Sequence, residues 1–262
     1  MFTSTGAASI DPAAYAVIAV YPAMVDAALS QGVVGRARKA GRWRWHGISL
    51  LDMAGDAERI DERPAGGGPG MLLRPAVLDR ALAVAAQWHN QPALRVVLTP
   101  DGAPLTQTLV ESLSRERSLT FIAGRYEGFD DAWLGKAGAL LISLGDFVLS
   151  GGELAAAALI DALIRIRPGV LGDAESAELD SHSTRLLDYP NYVSGADTTA
   201  AGSELLSAGN HGAITRWRRE QALLRTLQRR PDLLAVAPLS PTDRALLISA
   251  LRRWPSTRRP TL

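Results

Sequence analysis

The 262-residue chain contains no cysteine. Disulfides, a thiolate nucleophile and a Cys-ligated zinc site are thereby excluded. No run of eighteen apolar residues occurs, and the opening MFTSTGAASIDPAA lacks the basic-then-apolar pattern of an export signal. The expectation is a cytoplasmic protein with no membrane partner, whose residues 1–15 form a disordered lead-in. No Gly-Lys-Ser/Thr closes any glycine-rich stretch, so there is no P-loop. No glycine-rich turn with an acid about twenty residues on follows the first strand signal, which disfavours a Rossmann-type methyltransferase or dinucleotide site. Carboxylates clustered at metal-ligand spacing are also missing, so no divalent-ion site can be read from spacing. There are no internal repeats.

Net charge is scarce as well, at +1, but it is unevenly spread. From Asp197 onward the chain has eleven arginines against five acids, about +6, which leaves about −5 for the rest. A basic tail fits a nucleic-acid partner. It fits a solvated helical face equally well on charge alone. The 47% hydrophobic and 21% charged residues are those of a globular domain.

What is present is an alternation. AVIAVYP (16–22), LRVVLTP (94–100), LTFIAG (119–124) and ALLISLG (139–145) read as strands. RPAVLDRALAVAAQW and a stretch from Glu153 to about Ile166 read as helices, with Pro75 near the start of one and Pro168 just past the end of the other. Strands alternating with helices imply an α/β fold whose parallel sheet is covered on both faces. This domain is expected over 16–172. Residues 173–202 are polar, rich in Gly and Pro, and without period, and they read as an interdomain linker. Residues 203–262 read as a small helical domain. One of its helices places Ile214, Trp217, Leu224 and Leu227 on one side, and its last helix is capped by Thr242 or Asp243.

Three bends, DERPAGGGPGM (61–71), LTPDG (98–102) and AGRYEGFDD (123–131), follow strand signals. A fourth, SLGDFVLSGGEL (143–154), is longer than a strand-to-helix turn needs. Ligands of open α/β sheets bind at the C-terminal ends of strands, and all of these bends are expected to converge there. They offer main-chain polar groups beside Leu, Val and Tyr, without a phosphate-binding lysine. That suits a flat neutral heteroaromatic ring with a small charged appendage, such as adenosine with an amino-acid tail.

RPAGGGPGM, GRYEG, SLGDFVLSGGEL, RPGVLG, LLDYP, GNH…RWR and RRPDLL stand in one order. On these motifs the chain, from about Val17 to Leu234, resembles the bacterial tRNA (guanine-37-N1)-methyltransferase family of SPOUT or trefoil-knot enzymes. The resemblance implies a SPOUT-type sheet with a deep trefoil knot, S-adenosyl-L-methionine as cofactor, tRNA as substrate, a homodimer with the active site at its interface, and a magnesium requirement on which Glu127 bears. By motif, Leu98, Thr99, Pro100, Gly124, Tyr126, Glu127, Ser143, Leu144, Gly145, Phe147, Val148, Leu149, Gly151 and Gly152 would enclose the cofactor, with Asp61 helping to orient it. Asp180 would be the general base that removes the N1 proton, and Arg165 the cation that stabilises charge on O6. Asn210, His211, Arg216, Arg218 and Arg219 would meet RNA, although Asn210 and His211 could equally cap a helix. The chain departs from the family pattern at Ala65, Ala132, Ala155, Ala208 and after LLDYP, where Asn191-Tyr192-Val193-Ser194-Gly195 stand. These changes fall in RNA-facing loops. They leave open a diverged paralogue that methylates a small heteroaromatic molecule or another RNA position.

Overall fold

The computed structural model describes residues 12–55, 58–172, 180–193, 205–206 and 209–253. Positions 1–11, together with 173–179 and 194–202 of the expected linker, lie outside the described residues. The chain divides between Gly172 and Asp173 into two compact units.

The N-terminal unit is a five-stranded parallel sheet in the order β2-β1-β6-β5-β7. Its strands are β1 (Ala13–Ala19), β2 (Trp43–Ser49), β5 (Leu94–Pro104), β6 (Ser118–Ala123) and β7 (Ala139–Ser143). Strands β1 and β6 are buried along their whole length, as expected of parallel strands covered on both faces. Strand β1 begins at Ala13, inside the expected lead-in, because Ala13 and Tyr15 fill the core. Alternate β1 residues feed two cores. Ala13, Tyr15, Val17 and Ala19 pack toward helices α1 (Pro22–Leu29), α2 (Gly32–Lys39), α5 (Gln107–Leu113) and α7 (Glu153–Arg165). Ala16 and Ile18 pack toward α3 (Leu50–Ala54), α4 (Pro75–His89) and α6 (Asp131–Leu134). A short antiparallel pair, β3 (Asp61–Glu62) with β4 (Leu72–Leu73), brackets the glycine-rich bend.

Pro100 does not end its strand, contrary to the sequence reading. Strand β5 pairs with β7 up to Leu98, bulges over 99–102 and resumes at Ala103 opposite the same Ile142. The bulge turns 99–101 toward the mouth of the sheet.

The C-terminal unit contains α8 (His211–Arg229), α9 (Pro231–Val236) and α10 (Pro241–Arg253). Its core joins Leu186, Leu223 and Leu246. The buried face of α8 is Ala222, Leu223, Thr226 and Leu227; of the expected Ile214, Trp217, Leu224 and Leu227 side only Leu227 is buried, and the other three are half-buried. Helix α10 is capped by Ser240 rather than Thr242 or Asp243. The Asp243 main-chain N–H donates to Ser240 Oγ (3.0 Å) while the Asp243 carboxylate accepts from the Ser240 N–H (3.0 Å), a reciprocal capping box. Residues 180–193, expected to be linker, are packed into this unit through Leu186.

Candidate active site

At the C-terminal ends of β5, β6 and β7 lies a cavity of about 450 Å³. The β5 bulge contributes Leu98, Thr99 and Pro100 to its wall. The bend after β6 contributes Gly124, Tyr126 and Glu127. The long bend after β7 contributes Ser143, Leu144, Gly145, Phe147, Val148, Leu149, Gly151 and Gly152. Fourteen of the fifteen residues expected around the cofactor therefore meet in one place. The fifteenth, Asp61, is outside the lining and pairs with Arg59 at 3.0 Å. Its carboxylate still acts on the cavity: burial first, and then Asp61, push the Tyr126 phenol above its ordinary value. The glycine-rich bend is likewise a brace rather than a wall. Glu127 N–H donates to Met71 O (2.9 Å) and Leu73 N–H to Gly128 O (3.0 Å), which ties the β6 bend to its neighbour.

Main chain passes main chain closely in this cavity. Gly152 N–H donates to Gly124 O at 2.7 Å, and Arg125 and Gly151 form an antiparallel bridge. A Cβ at Gly152 would stand 2.9 Å from Ala123 Cα, and one at Gly151 2.5 Å from Glu153 Oε2 and 2.8 Å from Arg125 Nε. Main chain requires glycine at 152, whereas a side chain at 151 would have to displace Glu153 and Arg125. Ser143 Oγ donates to Gly145 O (3.2 Å) and accepts from Gly145 N–H (3.3 Å), closing the first turn of the long bend.

Several functional residues were not anticipated. Arg125 Nε donates to Glu153 Oε1 at 2.9 Å, and its guanidinium lies 4.8 Å from the Tyr21 ring centroid. Glu153 is fully buried and also accepts from Tyr21 N–H (3.3 Å), while its Oε2 has no hydrogen-bond partner among the described residues. One ion pair thus ties the β6 bend, the start of α7 and the start of α1. Asp101 and Asp131 add carboxylates to the wall, with Asp101 bonded to Thr99 Oγ1. No local pattern signals an arginine pairing with a glutamate twenty-eight residues on.

Arg165 does not line the cavity. It ends α7, about 20 Å along the helix from Gly152 at about 1.5 Å per residue. Leu154, Ala158 and Asp161 are exposed at helical spacing, and half-buried Arg165 continues their stripe. Near the cavity the surface is apolar: Tyr21 is 48%, Phe147 56% and Val148 87% exposed.

In the C-terminal unit Asp180 opens a turn, and Ser183 N–H (3.2 Å) and Oγ (2.7 Å) both donate to its carbonyl. Asn210 caps α8, its Oδ1 accepting from Ala213 N–H at 3.1 Å, and His211 is exposed beside it. Arg219 is committed to a two-pronged pair with Asp243 (2.7 and 3.0 Å), which holds that carboxyl well below the usual carboxylate range. Arg218 lies 4.7 Å from the Tyr189 ring, and Arg216 is exposed. Of the three arginines expected on RNA, Arg216 is the most accessible.

The cavity fits the adenosine-like ligand expected from the sequence: main-chain donors and acceptors stand beside Leu98, Phe147 and Leu149, with carboxylates at the rim to balance a cationic tail. Among the described residues no group of three or more His, Asp or Glu side chains could hold a metal ion. No helix among them is long and apolar enough to cross a membrane.

The family model described as tRNA (Guanine-1)-methyltransferase TrmD matches residues 14–236. A protein of Xanthomonas campestris pv. campestris (strain 8004) is 46% identical over 236 residues, covering 88% of this chain and 93% of that relative. One of Magnetococcus marinus is 42% identical over 239 residues, 89% of this chain and 94% of the relative. One of Neisseria gonorrhoeae (strain NCCP11945) is 42% identical over 237 residues, with coverages of 90% and 95%. All three bear the name tRNA (guanine-N(1)-)-methyltransferase.

Proposed function

The chain belongs to the tRNA (guanine-1)-methyltransferase family, and on that premise we propose that it methylates N1 of guanosine 37 in tRNA. S-adenosylmethionine supplies an electrophilic methyl group on a sulfonium. The carrying observation is the convergence of three bends on one cavity whose walls are largely main chain. Its glycines admit the ligand's ring, and its carboxylates favour a cationic tail. The close main-chain passages at Gly151 and Gly152 suit the trefoil knot that the family resemblance implies.

N1 of guanine holds a proton at neutral pH and must lose it to become a nucleophile. Asp180 is the base that takes it, acting within hydrogen-bond reach of N1. As the proton leaves, charge builds on O6, and the Arg165 guanidinium stabilises it. Arg165 is too far along α7 to serve the cavity of its own chain. A second copy packed on the 154–158–161–165 stripe about a two-fold axis perpendicular to α7 would run antiparallel, bringing its Arg165 end beside the first copy's Leu154 end. The exposed Tyr21, Phe147 and Val148 offer apolar surface near the cavity for such a copy. The proposed enzyme is therefore a homodimer whose sites draw on both chains. Arg216 of α8, with Arg218, supplies sequence-independent phosphate affinity.

The test is methyl transfer from labelled S-adenosylmethionine to an unmodified transcript carrying G37, beside a G37→A transcript. Label on the first alone is the expected outcome. Label on neither, with cofactor binding intact by calorimetry, would sink the tRNA reading and point to a small heteroaromatic acceptor.

A further inference from the structure

The turn that carries Asp180 is built more firmly than its polar sequence suggests. Two non-glycine residues in it, His182 (φ 76°) and Arg185 (φ 60°), adopt left-handed conformations. His182 N–H donates to Leu186 O at 2.7 Å, Arg185 N–H to His182 O at 3.1 Å, and Asp188 N–H to Ser181 Oγ at 3.0 Å. With Ser183 on the Asp180 carbonyl, the main chain at Asp180 is held from within the turn.

The turn is in turn fastened to α8. Leu186 is 2% exposed and packs with Leu223 and Leu246. Leu187 N–H donates to Thr226 Oγ1 at 2.9 Å. Arg225 Nη1 donates to the carbonyls of Asp188 (3.2 Å) and Tyr189 (3.0 Å). Thr226 is fully buried, where a hydroxyl is costly unless it is bonded and an aliphatic residue would pack as well. Its hydroxyl donates to Ala222 O at 2.7 Å, which leaves a lone pair for Leu187. The buried polar group on this helix face therefore serves the turn.

We infer that Thr226 and Arg225 are positioning residues for the base, mounting Asp180 on the helical unit. This rests on the reading of Asp180 as the base. General-base transfer needs heavy atoms about 2.6–3.2 Å apart, and a misplacement of about 1 Å costs on the order of a hundredfold. A turn released from α8 would keep its carboxylate and lose its aim.

The experiment measures single-turnover methyl transfer to the G37 transcript by Thr226→Val, Thr226→Ser, Arg225→Gln and Asp180→Asn enzymes. Cofactor and tRNA affinities are measured alongside. Thr226→Val and Arg225→Gln should slow transfer at least about tenfold with both affinities within about twofold, and Thr226→Ser should restore the rate. Hydrogen exchange should quicken at amides 181–189 while 223–227 stay protected. Arg225→Gln decides the matter if Thr226→Val unfolds α8. Native rates in Thr226→Val and Arg225→Gln beside an inactive Asp180→Asn would overturn the inference alone. A native rate in Asp180→Asn would overturn the base assignment and the inference with it.

Discussion

In the N-terminal unit the bends around the cavity are held chiefly by main chain: Gly152 donates to Gly124, Glu127 to Met71, and Arg125 bridges Gly151. In the C-terminal unit the corresponding work falls to side chains. Thr226 and Arg225 hold the Asp180 turn, Asp243 with Ser240 caps α10, and Arg219 joins α8 to α10 through Asp243. The difference follows from what each unit must fit. A cavity around a ligand gains from bare backbone, because every Cβ would take space. In the helical unit Leu186, Leu223 and Leu246 form the buried cluster among the described residues, and directional bonds fix the turn that packs on it.

The comparison can be broken at either end. The largest effect is expected at the base: Asp180→Asn should lower the rate of methyl transfer about a thousandfold, with cofactor affinity within about threefold by calorimetry. Gly151→Val should come next, weakening cofactor binding at least a hundredfold, about 3 kcal/mol, because the new side chain collides with Glu153 and Arg125. Unchanged affinity there would remove the main-chain wall from the account. Asp243→Asn should cost the helical unit about 2 kcal/mol, read as a lower midpoint in urea, since the partner Arg219 is one-third exposed.

That pair also sets an acid response. The Arg219 hydrogen bonds, and then those of Ser240, hold the Asp243 carboxyl below its ordinary value. A carboxyl depressed by folding stabilises above its unfolded value, about 3.9, and the gain is lost as pH falls toward the folded value. The native helical unit should therefore lose stability progressively below about pH 4, and Asp243→Asn should blunt that loss. The smallest effect belongs to Arg216→Ala. It should raise the Kd for tRNA about threefold and reduce the salt slope of binding by about one. A slope that does not move would place the phosphate contacts elsewhere.

Much of the N-terminal unit was legible in the sequence because four of its strands are continuous apolar runs bounded by Gly or Pro, and because the ordered motifs named the cavity's bends. The edge strand β2, WRWHGIS, was not, because only Trp43 and Ile48 of its side chains are buried. The exceptions have physical causes. LTPDG looks like a terminus because proline cannot donate to a ladder, yet the bulge removes that requirement and β5 resumes. Arg125 and Glu153 escaped notice because nothing local marks a pair so distant in sequence. The stretch 180–193 read as linker because its apolar content is small, and what docks it is one leucine and the hydrogen bonds its main chain makes with the Thr226 and Arg225 side chains of α8. The Ile214, Trp217, Leu224 and Leu227 side of α8 holds large apolar residues at helical spacing, yet only Leu227 of it is buried. The helix instead buries the face with Ala222 and Thr226, where a small residue and a hydroxyl let the turn approach.

The ion pair beneath the cavity has a consequence for how such a protein can change over generations. Gly151, Arg125 and Glu153 share one small volume: a side chain at 151 would occupy the space of the other two. Loss of Arg125 alone strands a fully buried carboxylate. Loss of Glu153 alone removes the side-chain tie on Arg125 of the β6 bend and an acceptor from Tyr21. No single step away from the trio is neutral, so substitutions at these positions should be strongly epistatic. Divergent descendants that abandon one of the three are expected to have replaced the others with it.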